Sequence, residues 1–440
     1  MASFYRIPVV PAEPLSSEAV SQTGKLQRSL GVSDAVIIGA GSMIGAGVFV
    51  AWAPAAEAAG TGLLIGLAIA AVIAFCNASS SAQLAVLYPE SGGTYVYGRY
   101  RLGAFWGHLA GWGFVVGKTA SCAAMALTVG AYLWPAHDRI VAVTAVVAIT
   151  AVNIGGLSRT VAVTRVLLVV ALATLVVVVA TGWSSPDAEV DRLVPIEGDL
   201  FGILQSAGFM FFAFAGYARI ATLGEEVKDP QTTIPRAIPR ALAAVLGVYA
   251  IVAVTILAVI PATEIAKSSA PLRLIVDSSR IAGISPLVDL GAGIAALGVL
   301  LNLIPGVSRT VLAMARRREF PVWFAHIDPV RSLPLRAELA VAVTVIGLVV
   351  IIELRDAIAF SGVAVLTYYA ITNAAALTLS SDQRRWPRSV AVIGLAGCLV
   401  LIVALPVAAV IIGVITLTIG AIIRLATTAR TTPPTDSTHP

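Results

Sequence analysis

Long apolar runs, separated by short charged or turn-rich interruptions, occupy most of this chain. A hydrocarbon core ~30 Å thick is crossed by about 20 apolar residues in a helix. On that measure the first half predicts spans near 34–56, 62–86, 103–134, 140–157 and 163–182. The second half predicts spans near 201–223, 240–260, 286–314, 338–353 and 357–380, and two more at 389–405 and 407–426 that only Pro406 separates. The expected architecture is an all-α polytopic membrane protein of about 12 transmembrane helices. Polar tails at 1–32 and 427–440 flank it. Glu13, Glu18, Lys25 and Arg28 leave no apolar h-region in the first tail, so the first span is expected to serve as the insertion signal.

Two of these spans contain stretches that make poor helix. The first carries Gly39, Gly41, Gly45 and Gly47, four glycines in nine residues, each costing roughly 1 kcal/mol against alanine in a helix interior. The sixth carries Phe211 to Tyr217, bulky aromatics with Gly216 among them. Gly41 and Gly45 also fit a GxxxG packing face, the competing reading. Position favours a break, because the two stretches lie in the first and sixth spans, each of which opens a block of five. Broken helices at matching places in two halves mark an inverted-repeat transporter with its substrate near the midplane. The expected organisation is a first repeat at 33–182, a second at 201–380, and a peripheral pair at 389–426 between cytoplasmic tails at 1–32 and 427–440.

Charge sets the orientation. With both termini cytoplasmic, 21 of the 29 lysines and arginines fall on inside segments and 6 on outside ones, while Lys118 and Arg219 lie within spans. That bias predicts termini on the cytoplasmic side of the cell membrane.

Composition agrees with this picture. Hydrophobic residues make up 58% and charged residues 12%, about half the roughly 25% usual in soluble domains, and mean hydropathy is +0.91. The net charge of +5 fits basic loops on a lipid-embedded protein and does not call for nucleic acid. Cys76, Cys122 and Cys398 are far apart within apolar segments, which argues against disulfides or a metal site. His108, His137, His326 and His439 are scattered. With no nucleophile elbow, phosphate loop or intramembrane acid pair, neither enzyme activity nor a cofactor is expected.

Four stretches then resemble the amino acid–polyamine–organocation superfamily of permeases. They are Gly39–Phe49 (GAGSMIGAGVF), Tyr88–Tyr97 (YPESGGTYVY), Phe211–Ile238 (FFAFAGYARIATLGEEVKDPQTTIPRAI) and Gly306–Ala325 (GVSRTVLAMARRREFPVWFA). The resemblance spans at least 33–380 and is most specific in the long loop after the sixth span. It implies the inverted-repeat fold of the bacterial leucine transporter, alternating access, and a substrate bearing an α-amino group. It also implies that Ser42, Met43, Gly45, Ala46 and Gly47 line a carboxylate site. Amides freed at that break, and the positive end of the half-helix after it, suit an anion.

Across from them, freed carbonyls of Phe212 to Ala215 would accept bonds from a substrate ammonium, with Gly216 and Ala218 completing the break. Phe212 and Phe214 are candidate gates or cation–π partners, with ordinary packing as the alternative. Gly117, Lys118 and Cys122 would follow the central cavity, and Leu303, beside Asn302, would approach it from the eighth span. Lys118 lies too deep to snorkel easily, and an intramembrane cation is a functional-site hypothesis in its own right. Arg219, Glu225 and Glu226 are candidate gating residues, the glutamates through ion pairs with Arg99, Arg101 or Arg236. For Arg219 the alternative is snorkelling, and for Lys118 a structural pair.

Two positions depart from the family pattern. Ala218 stands where many relatives carry an acid, which weakens the case for a strongly cationic substrate. Ala171 stands where proton-coupled relatives often carry a lysine, leaving coupling by H+ through Lys118, coupling to an ion, exchange, or uniport. The sequence therefore points to a secondary transporter of amino acids. Transport or export of a polyamine or other organic amine is the nearer alternative. A non-transporting sensor is the remoter one, since the longest segment between spans is about 25 residues.

Overall fold

A hydrocarbon core offers backbone amides and carbonyls no water, so they must pair within helices. The computed structural model describes residues 30–88, 92–155, 161–221, 227–281, 283–329, 331 and 333–429, and these are helical with no β-sheet. In chain order the first half contains α1 (Val32–Met43), α2 (Ala46–Val50), α3 (Trp52–Ala59), α4 (Leu63–Leu87), α5 (Thr94–Leu102), α6 (Ala104–Leu133), α7 (Asp138–Ile154) and α8 (Val161–Trp183). The second half contains α9 (Leu200–Phe214), α10 (Ala218–Ala221), α11 (Pro230–Val259), α12 (Ala262–Ile265), α13 (Pro271–Asp277), α14 (Ser285–Arg316), α15 (Leu335–Ile351) and α16 (Leu354–Leu377). Two helices close the chain, α17 (Arg388–Ala404) and α18 (Val407–Ala429).

Ten helical segments among the described residues are long and apolar enough to cross a membrane. The other two expected spans are α15 and α17, apolar helices of 17 residues each. α11 begins ten residues before the span expected at 240, because Pro235 and Pro239 read as breakers. Pro230 sits at its first turn, where a missing N–H costs nothing, and the helix runs on through the other two prolines. The short helices α5, α12 and α13 lie in segments read as plain loops.

The packing is reciprocal. α4 packs on α9 as α11 packs on α1, α6 packs on α16 as α14 packs on α8, and α6 meets α15 as α14 meets α7. The pairs α4–α11, α6–α14 and α7–α15 close on themselves. Exchanging the first five spans for the second five maps each pairing onto another, as two equivalent blocks require. An odd number of crossings turns the second block over relative to the first. α6 is the central helix, 89% buried over its most apolar window, whereas the corresponding value for α18 is 17%, which leaves it facing lipid.

Candidate substrate site at two helix breaks

The first span stops being helical at Ile44 and Gly45, between α1 and α2. The sixth passes from α9 through a tight turn at Ala215–Tyr217 into α10. Glycine brings the breaks together. A Cβ on Gly216 would lie 2.1 Å from the Ser42 carbonyl oxygen and 2.7 Å from the Met43 nitrogen. One on Gly47 would lie 2.6 Å from the Ala213 Cα. At these positions the two backbones touch, and no side chain fits between them. Of the glycines expected to free the first span, Gly47 thus also seats it against the sixth, while Gly41 faces Thr164 of α8 and Gly45 faces Val299 of α14.

The carbonyls released by the breaks are met by side chains from three other spans. Tyr249 on α11 places its hydroxyl 2.7 Å from the Met43 carbonyl and 3.0 Å from that of Ala213, tying the breaks together. Tyr369 on α16 donates to the Ala215 carbonyl at 3.2 Å. Lys118 on α6 donates to the same oxygen at 3.3 Å. Its side chain is buried, and no carboxylate among the described residues lies within 4.0 Å of its Nζ. Cys122, one turn further on, is fully buried. Beside the first break a space of about 10 Å³, bordered by Gly41, Ile44, Thr164 and Asn302, has room for about one water.

The other expected residues are distributed around this centre. Met43, Gly45, Gly47, Phe212 and Ala215 are buried, while Ser42 and Gly216 are half-buried. Ser42 donates its hydroxyl to the Ile38 carbonyl at 2.8 Å. The side chains of Ala46 and Ala218 lie outside the described residues, as do Glu225 and Glu226. Phe214 is fully buried with its ring 5.1 Å from that of Tyr249, the packing role weighed against a gate. Leu303 is half-buried on α14 and packs against the core, and Asn302 donates to the Gly298 carbonyl of its own helix. Arg219 is half-buried on α10, and Ala171 is buried on α8.

The ion pairs expected of Glu225 and Glu226 lie outside the described residues, and among those described Arg99 has an acidic partner of its own. It pairs with Glu319, a fully buried carboxylate just beyond α14. Arg318 puts it there: with φ of 57° it ends α14 in a left-handed turn. Amides of Arg318 and Glu319 then close back on the carbonyls of Ala315 and Met314, the bonds of a Schellman cap. The same carboxylate lies 3.4 Å from His108 Nδ1 and 3.7 Å from Arg424. Burial alone would raise the Glu319 carboxyl, but the His108 hydrogen bond and the charges of Arg99 and Arg424 outweigh it and hold the group below the usual carboxylate range. This cluster joins α5, α6, the end of α14 and α18.

Tyr249, Tyr369 and Glu319 escaped the sequence reading. A tyrosine in an apolar span is a signal in itself, since a buried hydroxyl normally finds a partner. Nothing in the sequence ranks these above the others.

Comparison with known proteins gives the family. The family model described as amino acid permease matches residues 34–436. A Mycobacterium tuberculosis (strain ATCC 25618 / H37Rv) protein described as an uncharacterized transporter is 56% identical over 400 residues, 90% of each chain. The Bacillus subtilis (strain 168) branched-chain amino acid permease BcaP is 25% identical over 84% of this chain and 85% of its own. The chloroplastic cationic amino acid transporter 7 of Arabidopsis thaliana is 26% identical over 80% of this chain and 65% of its own.

Proposed function

The chain belongs to the amino acid permease family, and from that premise we propose that it is a secondary active transporter of amino acids, working by alternating access and coupled to protons or to exchange. The observation that carries this reading is the contact between the two breaks, where Gly216 lies against the backbone of Ser42 and Met43. Irregular backbone at membrane depth persists where protein or a cavity satisfies it. Here it sets amides and carbonyls of two spans beside one another, the two kinds of group an amino acid zwitterion needs.

In this account the substrate carboxylate binds the amides of Gly45 to Gly47, and its ammonium binds carbonyls of the α9 break. Lys118 is the coupling group, because its proton is held by the same carbonyl set. The halves at 33–182 and 201–380 rock about this centre, with 389–426 outside them and both tails cytoplasmic. The buried cation Lys118 and the missing acid at Ala218 weigh against the rival reading, a polyamine or other organic cation.

Radiolabelled uptake into proteoliposomes, with and without an imposed pH gradient, tests the proposal. Amino acid accumulation driven by the gradient or by internal amino acid supports it. No flux across an amino acid and amine panel, under any gradient, refutes it.

A further inference from the structure

The geometry points to Lys118 as the counter-charge for an anionic side chain on the substrate, so that the cargo is an acidic amino acid. The inference rests on the reading that substrate binds at the two breaks, and it adds the charge class.

An ammonium carries three N–H donors. For Lys118 the hydrogen bond among the described residues is the 3.3 Å contact with the Ala215 carbonyl, which Tyr369 also occupies. The residue is 6% exposed, so most of it lies away from solvent. Neither break contributes an acid, since residues 39–50 and 209–221 contain no aspartate or glutamate. Of the buried carboxylates, Asp289 is held by Arg273 and Glu319 by Arg99, and neither these nor the buried Glu338 forms an ion pair with Lys118 within 4.0 Å.

A second observation comes from Tyr217. Its side chain is fully buried next to Gly216, and its ring stacks on Tyr369 with centroids 5.0 Å apart. Its hydroxyl hydrogen-bonds to that of Tyr369, so the pair sits beside the Ala215 carbonyl that Lys118 also reaches. One side of the second break thus carries spare N–H and a positive charge on Lys118, and no carboxylate among the described residues lies within 4.0 Å of that charge. A carboxylate supplies up to four acceptor sites and one negative charge. It answers both demands, which a neutral side chain leaves unmet and a cationic one worsens.

The test is competition and direct uptake in proteoliposomes with glutamate and aspartate, leucine and alanine, and arginine and lysine. Wild type is expected to take up the acidic pair in preference. Lys118→Met is expected to lower acidic uptake about tenfold or more, the scale of a lost charged hydrogen bond. Read by competition without a gradient, neutral binding should fall less than acidic binding, and Lys118→Arg should recover part of the acidic loss. A wild-type preference for neutral or cationic amino acids overturns the inference and leaves the transporter reading standing, as does undiminished acidic uptake by Lys118→Met. Flux of no amino acid at all overturns that reading too. The wild-type panel decides the question even if the variants fail to fold.

Discussion

The ammonium of Lys118 lies 3.3 Å from the carbonyl oxygen of Ala215, at the point where the sixth span stops being helical. A cation in the middle of the bundle is held by backbone alone, and the backbone offers that oxygen because the helix is broken there. The charge and the break explain one another. An intact helix has no free carbonyl to give at that depth, and without the lysine the carbonyl would keep Tyr369 as its donor.

Lys118 should therefore cost stability and supply function. A charge at mid-membrane is unfavourable by roughly 2.5–3.5 kcal/mol on insertion scales, part of which the carbonyl offsets. Lys118→Met is expected to raise the thermal unfolding midpoint in detergent. Lys118→Ala is expected to abolish uptake driven by a pH gradient. Full gradient-driven uptake by Lys118→Ala would remove the lysine from coupling.

The contact between the breaks makes a sharper structural prediction. Because a Cβ on Gly216 would sit 2.1 Å from a backbone oxygen, Gly216→Ala must push the two spans apart. Overpacking of this kind typically costs about 1–3 kcal/mol. Reduced thermal stability and lost uptake are expected together. Gly306→Ala is the control, since nothing lies within 4 Å of a Cβ there, and it should be silent in both measurements.

At the end of α14, Arg318 holds a φ of 57° that glycine would adopt freely. Arg318→Gly is expected to stabilise the protein by up to about 1 kcal/mol through relief of that strain. Unchanged or lower stability would mean that the arginine side chain contributes more than its backbone costs.

Glu319 yields a pH dependence. Its carboxyl is held below the ordinary value of 4.5 in the folded protein. A group depressed in this way stabilises the fold above its unfolded value, and the contribution disappears as pH falls through the folded one. Stability should thus decline on the acid side below about pH 4.5, and Glu319→Gln should flatten that limb. Near neutral pH the same variant leaves Arg99 and Arg424 without their carboxylate, at a cost of about 2–3 kcal/mol. That is below the 3–5 kcal/mol of a fully buried pair, because Arg99 is partly solvated. Thermal unfolding of both proteins across pH 2.5–8 measures the two effects.

Much of the scaffold was legible because lipid enforces it. Spans such as α6 and α14 fell within two residues of their expected ends, since apolar length admits one solution in a bilayer. The start of α11 was missed because proline disfavours a helix interior but does not forbid it. The breaks were legible from their glycines, whose cost in a helix is local. Their mutual contact was not, since it joins Gly216 to Ser42 across the bundle. For the same reason the reading found Lys118, a rare charge in an apolar run, but not its partner, which is a backbone carbonyl. The pairing of Arg99 with Glu319 was not legible, because it depends on the left-handed turn at Arg318 that brings the carboxylate back to α5.

The account stands on substrate lying between the two breaks, and Ser42 offers a direct probe of that place. In a background with Cys76, Cys122 and Cys398 replaced by alanine, alkylation of Ser42→Cys by a membrane-permeant maleimide can be timed with and without a transported amino acid. The account predicts that saturating amino acid slows labelling several-fold, while an amino acid that is not transported leaves it unchanged. Labelling that proceeds at the same rate while transport continues would contradict it.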